Sequence, residues 1–473
     1  MTAVDGCMTR RRWLGWAGVA GAALGAAACG ATGGGSSTGV TPGANELKGK
    51  ITFYARANMV ENQGQEQIFL PTFKQVAPSA TVEHNIFAAT TPDETYGTKL
   101  YAMFAAGDGP DLWGFGGNYW TYWARGLAAD LNPLIARDKY DLGQFHKGLA
   151  DMFRVKGKQY GLPQLTTFGS LLFYNKNLLQ EVGITKLPTV DWEDKTWTMD
   201  QAGDIARKTT KNAGEASAVY GINFDLWAPH APAWLFGGDA FLPEHYKEGI
   251  APATKLDSKE SIDALQFMQD LRWKQRYAMR SGDPSVSQPG KGTFTSGRLA
   301  LHLSGGWNFW NYGGVQTDFQ WAAAALPIQA SNKNPNYNDF WIMAKASKNP
   351  DLAWAFMKHI TSADVQTRFS DLNGTPPTNR GAIESWYRKW ERVMPRADLE
   401  KLTQGAIDHK RSVESPDHTF LDFGRMDQLF NREVRDPILR NEGTPRELVT
   451  KAKPVLDALV KEIHDQWKGK LPT

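Results

Sequence analysis

Apolar and polar positions follow two periods along the chain, and together these predict alternating strands and helices from residue 48 onward. A short apolar run at residues 51–54 predicts a strand, and a helix is expected to follow through residues 67–76. A second strand is predicted over residues 80–87 and a second helix over residues 95–106, before a Gly-Asp-Gly-Pro turn. This order of elements predicts an α/β protein with parallel sheets.

Helical spacing of apolar residues recurs in the second half of the chain. Residues 259–277 carry such a stripe, and a helix is predicted to begin at Asn349 and Pro350. We interpret both stripes as core-facing surfaces. Their inward positions are Ile262, Leu265, Met268 and Leu271 in the first helix, and Leu352, Phe356 and Ile360 in the second.

The amino-terminal segment has the features of an export signal. Arg10 and Arg11 precede an apolar run at residues 13–28, which is shorter than the about 20 residues that a membrane-spanning helix needs. Residues 9–14 resemble the twin-arginine export motif, with Trp13 at its aromatic position. We therefore expect residues 1–29 to be a signal peptide.

Cys29 is a candidate lipidation site. Three alanines stand directly before it, which resembles the lipobox of bacterial lipoproteins, although Ala replaces the usual Leu three residues before the cysteine. The alternative is ordinary cleavage after small residues, with Cys29 unmodified. Residues 30–47 are rich in Gly, Ser and Thr and predict a flexible linker. We expect an exported protein, lipid-anchored at the outer face of the cell membrane or in the periplasm.

Charge and cysteine content narrow the function further. Without residues 1–29 the formal charge falls from +3 to about +1, which gives no electrostatic argument for nucleic acid. Beyond Cys29 the sequence has no other cysteine, so stability must come from buried core, and a chain of this length predicts two lobes. Tryptophan is abundant, at 18 of 55 aromatic residues. Indole rings in loops suit sugars, whose rings have apolar faces and polar rims.

Catalytic and metal-binding motifs are missing from the sequence. It contains no H-E-x-x-H, no C-x-x-C and no phosphate-binding loop, and its nine histidines are scattered. Asn332, Asn334, Asn336 and Asn338 alternate as in a calcium loop but lack its carboxylates, so we predict a turn there. We expect no metal, no cofactor and no enzymatic activity. A secreted glycosidase stays open as an alternative, since 50 acidic residues include many candidate pairs.

Six short motifs, in order, carry a family resemblance. They are GDGPDLW at 107–113, GLAADLNPL at 126–134, LLFYNKNLLQEVGI at 171–184, TWTMDQAGDIARK at 196–208, FTSGRLALHLSGGW at 294–307, and MAKASKNPDLAWAFMKHITSADVQ at 343–366. Together they resemble the extracellular solute-binding proteins of ABC importers, especially the sugar-binding, maltodextrin-binding-protein-like branch. Residues 380–425 fit this pattern less well.

The resemblance implies a two-lobed periplasmic-binding-protein-like fold of type II, with a ligand cleft between the lobes. It places lobe 1 at residues 48–165 plus 325–372 and lobe 2 at 170–322 plus 378–473. The implied partners are a carbohydrate and the permease subunits of an ABC transporter, with membrane contact through the lipid anchor only. We expect a monomer. Alternatives are another solute, such as a polyol, glycerol phosphate, a peptide or a polyamine, or a structural surface lipoprotein.

Loops that follow strands are the predicted ligand-binding segments, because ligands of open α/β sheets bind at the carboxyl ends of strands. After the first strand and in the WGFGGNYW segment the candidates are Arg56, Asn58, Glu61, Trp113, Phe115 and Asn118. For Arg56, Asn58 and Glu61 the alternative is a solvated loop and a helix cap. For Trp113 and Phe115 the alternative is packing over the end of the sheet.

The resemblance adds candidates farther along the chain. Phe168 stands where the chain is expected to cross between lobes, and a hinge role is favoured there over ligand contact. Trp307, after the strand-like LALHL and two glycines, is the foremost candidate for a ring that stacks on the ligand, with core packing as the alternative. The remaining candidates are Asp225, Trp227, His230, Trp341 and Asn373, with Trp310 and Tyr337 as weaker ones.

Overall fold

The computed structural model describes residues 47–57, 63–88, 93–114, 119–224, 229–407 and 412–472. Within these ranges the chain forms thirteen strands. They are β1 Gly49–Ala57, β2 Ala80–Ala88, β3 Leu112–Gly114, β4 Arg154–Val155, β5 Lys158–Gln159, β6 Leu162–Thr166, β7 Ser170–Asn175, β8 Tyr220–Phe224, β9 Leu299–Gly305, β10 Trp321–Ala324, β11 Asn334–Asn336, β12 Asn338–Met343 and β13 Ser412–Glu414.

The helices surround these strands. They are α1 Leu70–Val76, α2 Asp93–Ala105, α3 Tyr119–Ala124, α4 Asn132–Asp138, α5 Lys176–Glu181, α6 Met199–Thr209, α7 His230–Leu235, α8 Lys259–Trp273, α9 Asn308–Gly313, α10 Pro350–Ile360, α11 Ala363–Asn373, α12 Ile383–Trp390, α13 Arg396–Ile407, α14 Pro416–Thr419, α15 Phe423–Phe430, α16 Asp436–Arg440 and α17 Pro445–Trp467. Short 3-10 turns occur at Leu142–Gln144, Ala150–Phe153, Pro243–Lys247 and Arg380–Ala382, and π-helical turns at Gln65–Phe69 and Asn431–Arg435.

Two mixed sheets organise the fold. The first sheet has the order β2-β1-β3-β12-β6 and the second has the order β10-β7-β9-β8. In the first, β1 runs parallel to β2 and β3, whereas β12 is antiparallel to β3 and β6. In the second, β8 and β9 are parallel and β7 is antiparallel to β9 and β10. The prediction of parallel sheets was therefore wrong for β12 and β7. Each of these strands follows a chain crossing that enters its sheet at the carboxyl edge, where the parallel strands end.

The strand directions place the carboxyl edges of the two sheets against each other. Strand β6 ends at the carboxyl edge of the first sheet, and only residues 167–169 separate it from the start of β7 at the carboxyl edge of the second. Residues 325–337 return from the carboxyl end of β10 to the amino end of β12 and so join the same two edges. The carboxyl ends of β1, β3, β8 and β9 therefore face the junction between the sheets.

The predicted helical stripes are confirmed as core. Leu352, Phe356 and Ile360 of α10 are buried against the first sheet. On α8, all four predicted positions are buried as well. The second sheet has its own core, in which Trp386 and Trp390 of α12 pack with Phe309 and the aliphatic residues of β7 and β9. Helices α15 and α17 form a further apolar cluster with residues 240–265.

Candidate functional site

Trp307 lies at the junction of the two sheets, two residues after β9 ends. Its indole is half-buried. The two glycines before it are required by the packing, since a Cβ on Gly305 would lie 2.0 Å from the Trp307 ring and one on Gly306 would lie 1.7 Å from the carbonyl oxygen of Thr167. The Ser-Gly-Gly-Trp sequence thus allows the ring to fold back over its own backbone at the carboxyl edge of the second sheet.

Tyr337 supplies a second ring from the first sheet. It directly precedes β12, and its ring centroid lies 5.6 Å from that of Trp307 with an interplanar angle of 65°. The Tyr337 carbonyl accepts hydrogen bonds from the Thr167 hydroxyl at 2.8 Å and the Thr167 backbone N–H at 3.3 Å. Two half-buried aromatic rings, one from each sheet edge, therefore form a pair beside the crossing at residues 167–169.

A polar cluster adjoins this aromatic pair. The His418 ring lies 6.2 Å from the Tyr337 ring and 5.1 Å from the Tyr119 ring of α3. Tyr119 donates its hydroxyl hydrogen to Oε1 of Glu414, and Nδ1 of His418 contacts the same oxygen. Nε2 of His418 lies 3.5 Å from Oδ2 of Asp417. The cluster joins α3, near the first sheet, to β13 and α14.

The carboxylates set the charge of this cluster. Burial alone lowers the pKa of His418, but Asp417 and Glu414 outweigh that effect and raise the pKa to about 9. His418 is therefore protonated at neutral pH. Burial and the neighbouring Glu414 raise the pKa of Tyr119 well above its usual value, so its hydroxyl keeps its hydrogen and donates it.

Asn334 fixes the crossing between the sheets. Its Oδ1 accepts a hydrogen bond from the Ser170 backbone N–H at 2.7 Å, and its Nδ2 donates to the Phe168 carbonyl at 3.3 Å. Phe168 has a φ of +57°, in the left-handed region, and its buried ring packs 4.9 Å from Trp386. These contacts favour the hinge role of Phe168 over ligand contact. The predicted turn around Asn334 was wrong, because Asn334–Asn336 forms β11 and pairs with β13.

Trp113 and Trp341 lie in the core rather than on a cleft surface. Both side chains are 0 % exposed. Trp113 packs at 5.4 Å on Tyr122, and Trp341 packs at 5.1 Å on Phe53. Gly114 makes room for the Trp341 ring, since a Cβ there would lie 2.1 Å from it. Burial favours the alternative role of core packing for both tryptophans.

His230, Trp310 and Asn373 also have structural contacts. His230 is buried, its Nε2 lies 2.9 Å from the Ser415 hydroxyl, and burial lowers its pKa to about 4. Trp310 is buried in α9. The side-chain oxygen of Asn373 accepts from the Thr375 backbone N–H at 3.0 Å and so stabilises the turn after α11. Among the predicted site residues that the structure describes, Trp307 and Tyr337 are the pair whose rings contact each other.

Several predicted residues lie outside the described part of the chain. They are Arg10, Arg11, Cys29, Asn58, Glu61, Phe115, Asn118, Asp225 and Trp227. Arg56 is the penultimate residue of β1, and only its backbone is described.

The polar cluster was missed by sequence reasoning. Tyr119, Glu414 and His418 come from segments almost 300 residues apart, and the carboxyl-terminal segment showed no motif. No group of three or more His, Cys, Asp or Glu residues is arranged to hold a metal ion within the described ranges. The same ranges contain no helix with the length and apolarity to cross a membrane.

Comparison with known proteins adds a family match. The model of the family described as bacterial extracellular solute-binding protein matches residues 57–367. The match begins at the last residue of β1 and ends within α11, and it includes the aromatic pair, both crossings and the other eight strands of the two main sheets.

Solved structures are similar over most of the chain. An ABC substrate-binding protein from Listeria monocytogenes, in complex with cycloalternan, is 21% identical with a TM-score of 0.73, covering 87% of this chain and 99% of that one. Maltose-bound MalE3 of T. maritima is 19% identical with a TM-score of 0.67, covering 87% and 99%. The maltotriose-bound MalE domain of Bdellovibrio bacteriovorus is 18% identical with a TM-score of 0.66, covering 87% and 100%. These similarities confirm the predicted two-lobed α/β fold class.

Proposed function

The chain belongs to the bacterial extracellular solute-binding protein family, and from this premise we propose that it captures a sugar or oligosaccharide between its two sheets and delivers it to an ABC permease. The observation that carries the proposal is the contact between Trp307 and Tyr337 at the facing carboxyl edges. A half-buried indole beside a phenol ring offers a flat apolar surface with polar groups at its rim. That surface suits a sugar ring, whose C–H face is apolar and whose hydroxyls point outward.

The neighbouring polar groups support a hydroxylated, uncharged ligand. Glu414 and Asp417 both contact His418, whose ring lies beside that of Tyr337. Carboxylate oxygens accept hydrogen bonds from sugar hydroxyls. Oε2 of Glu414 and Oδ1 of Asp417 are buried without a hydrogen-bond partner among the described residues. A phosphate-bearing solute such as glycerol phosphate would meet these like charges, so a neutral sugar is the favoured class.

The proposed mechanism is hinge closure of two lobes around the ligand. We assign residues 48–165 plus 325–372 to lobe 1 and 170–322 plus 378–473 to lobe 2. The first range contains β1, β2, β3 and β12, and the second contains β7, β8 and β9. Ligand would stabilise the closed arrangement by contacting both lobes, and the permease would recognise that arrangement through the lobe rims.

Export and anchoring are part of the proposal. The twin-arginine motif at Arg10 and Arg11 would direct export, and acylation of Cys29 would attach the mature chain to the membrane through the linker at residues 30–47. Expression of the full chain with radiolabelled palmitate tests this step. Wild type should incorporate label and sediment with membranes, and Cys29→Ala should do neither. Equal labelling of both proteins would refute lipidation at Cys29.

Binding to a solute panel tests the main proposal. Maltotriose, mannotriose, glycerol phosphate, a peptide and spermidine would be compared by thermal shift and tryptophan fluorescence. A ligand at a hundred times its dissociation constant adds about 2.7 kcal/mol to stability. We expect a saccharide to raise the melting temperature and to be recovered uncleaved. New reducing ends would indicate a glycosidase, and a shift with a non-sugar solute alone would overturn the sugar assignment.

A further inference from the structure

Helix α3 is attached to the first sheet. Its Tyr119 ring lies 4.6 Å from the ring of Phe340 in β12. The backbone soon after the helix joins the same sheet, since the Ala129 N–H donates to the Met343 carbonyl at 2.9 Å. α3 therefore belongs with the first sheet, in the range assigned to lobe 1.

The carboxyl-terminal helices are attached to the second sheet instead. Phe420 stacks on Phe241 at 4.2 Å, and Leu456 of α17 packs in the same apolar cluster as Leu265 of α8. Met268 of α8 is in turn part of the core of the second sheet. α15 and α17 therefore belong with that sheet, in the range assigned to lobe 2.

These two halves meet in an apolar interface away from the chain crossings. It contains side chains from α3 and β4 on one side, and from α17 and the segment before α15 on the other. They are Trp123, Ala124 and Val155, with Leu421, Ile463 and Trp467, and each is at most 9% exposed. Lobes joined by short crossings move relative to each other unless a large apolar surface also joins them.

An ion pair adjoins this interface and also links the two halves. Arg125, directly after α3, donates from Nη2 to Oδ1 of Asp422 at 3.1 Å. The Trp467 indole N–H donates to Oδ2 of Asp422 at 3.3 Å, and the Asp422 backbone N–H donates to Oγ1 of Thr121 at 3.0 Å. Separation of the halves would break the contacts of Asp422 with Arg125 and Thr121 together.

The interface reaches the proposed sugar site through α3. Tyr119 and Trp123 are four residues apart and so lie on the same face of the helix. Tyr119 donates to Glu414 in the polar cluster beside the aromatic pair, and Trp123 lies in the apolar interface one helical turn farther on. Opening of the interface would therefore also draw Tyr119 away from Glu414.

We propose that this interface is a latch between the lobes. The closed arrangement is the one in which the interface and the aromatic pair are both formed, and the latch holds the lobes in it when no sugar is bound. Apparent sugar affinity then falls with the fraction of protein that is closed. This effect on affinity rests on the proposed function, whereas opening of the ligand-free protein does not.

Ala124→Gln tests the latch in the full chain. Ala124 is buried in the interface, and glutamine adds volume and a polar group that water can reach only when the lobes open. Without sugar, the radius of gyration from small-angle scattering should increase, and the Asp422 amide should exchange about tenfold faster than in wild type. Ala458→Gln is the matched control, because Ala458 is an exposed residue of α17, and it should behave as wild type does.

Arg125→Met is a second, milder variant. It removes the ion pair with Asp422, and the Arg125 side chain is 34% exposed, so the fold should tolerate the change. The Asp422 amide should again exchange faster than in wild type. Arg425→Met is its control, since Arg425 is 37% exposed and pairs with Glu462. A cooperative thermal transition establishes that each variant is folded, and Arg125→Met decides the test if Ala124→Gln does not fold.

Calorimetric titration with the saccharide identified in the panel completes the test. Both latch variants should bind it about tenfold more weakly than wild type, although neither residue belongs to the aromatic pair. Saturating saccharide should return their radius of gyration to the wild-type value.

The ligand-free measurements separate the latch from the sugar site. A wild-type radius and wild-type exchange in both variants would refute the latch. Weaker sugar binding without either ligand-free change would refute it too, because the residues would then act on the ligand directly. If no saccharide bound to wild type, the sugar assignment would fail, and the ligand-free comparison would still decide whether the latch exists.

Discussion

Gly306 lies directly against the carbonyl oxygen of Thr167, so closely that a Cβ at position 306 would be 1.7 Å from that oxygen. The Gly306 N–H also donates to the Gly169 carbonyl at 2.8 Å. The turn that carries Trp307 is thereby attached to the chain crossing between the sheets. Any movement at residues 167–169 must therefore change the position of the indole.

Gly306→Ala should destabilise the protein by about 1–3 kcal/mol, because a methyl group in this contact forces backbone to move. Sugar binding should weaken at the same time, since the Trp307 ring shifts with its turn. Urea unfolding and calorimetric titration measure the two effects.

Gly203→Ala is the matched control for that substitution. Gly203 lies inside α6, and its added Cβ would have no heavy atom within 4 Å. Alanine is favoured over glycine in a helix by about 1 kcal/mol, so this variant should be slightly more stable than wild type. Equal stability of Gly306→Ala and wild type would show that the contact with Thr167 is not tight.

The order of strands and helices could be predicted from the sequence because their apolar periods are local. The strand at residues 80–87 and the stripes of α8 and α10 agree with the structure. Strand direction could not be predicted in this way. It depends on whether a short crossing, such as residues 167–169, enters the next sheet at its amino or its carboxyl edge. The local pattern of apolar residues is the same in both cases.

The candidate site was predictable only in part. Trp307 follows an apolar strand and two glycines, which is a local signal. His418 and Tyr119 have no such local signal. Their rings meet in a part of the fold that depends on the long-range pairing of β11 with β13. Trp113 shows the opposite limit: it was a candidate for ligand contact, but its ring is buried in the core, and Gly114 accommodates Trp341 from the adjacent strand.

Trp307→Ala should weaken sugar binding by tenfold to a hundredfold and leave the fold intact. Loss of a stacked ring removes both apolar contact area and the directional ring interaction, which together amount to about 1.5–3 kcal/mol. The ring is only half-buried, so the free energy of unfolding should change less than for a core tryptophan. Calorimetric titration with the saccharide identified in the panel measures the loss.

Trp273→Ala provides the comparison for Trp307→Ala. Trp273 is also half-buried, but it ends α8 and packs under Arg280, away from the junction. Its replacement should leave sugar affinity unchanged. If Trp307→Ala bound the saccharide as tightly as wild type, the indole would not be part of the ligand surface.

Asn334→Leu should destabilise the crossing by about 1–3 kcal/mol, because the Ser170 N–H loses its acceptor inside the protein. The residue is 1% exposed, and leucine has a similar volume, so lost hydrogen bonds rather than a cavity dominate the effect. Hydrogen exchange of the Ser170 amide should accelerate relative to amides in the middle of β7. Unchanged exchange would show that another acceptor satisfies this N–H.

Deprotonation of His418 should make the protein less stable at alkaline pH. Its folded pKa of about 9 lies above the unfolded value of 6.5, so its contribution is fully present below pH 6.5 and is lost as pH rises through 9. That contribution is at most about 3 kcal/mol. Urea unfolding between pH 6 and 10 should show the loss in wild type and a flatter profile in His418→Gln. A steeper alkaline decline in the variant would contradict this assignment.

Protonation of His359 should make the protein less stable at acid pH. Burial lowers its folded pKa to about 4, below the unfolded value of 6.5, so its contribution is present above pH 6.5 and is lost as pH falls toward 4. The ring packs 5.4 Å from Phe73, and its Nε2 lies 2.8 Å from the Thr72 hydroxyl, so protonation places an uncompensated charge between α1 and α10.

His359→Gln should therefore unfold less readily than wild type on acidification from pH 6.5 to 4.5, measured as the change in urea midpoint. Identical acid profiles for His359→Gln and wild type would place the proton uptake on other residues. The half-buried His84, whose pKa is lowered to about 4, would be the next residue to substitute.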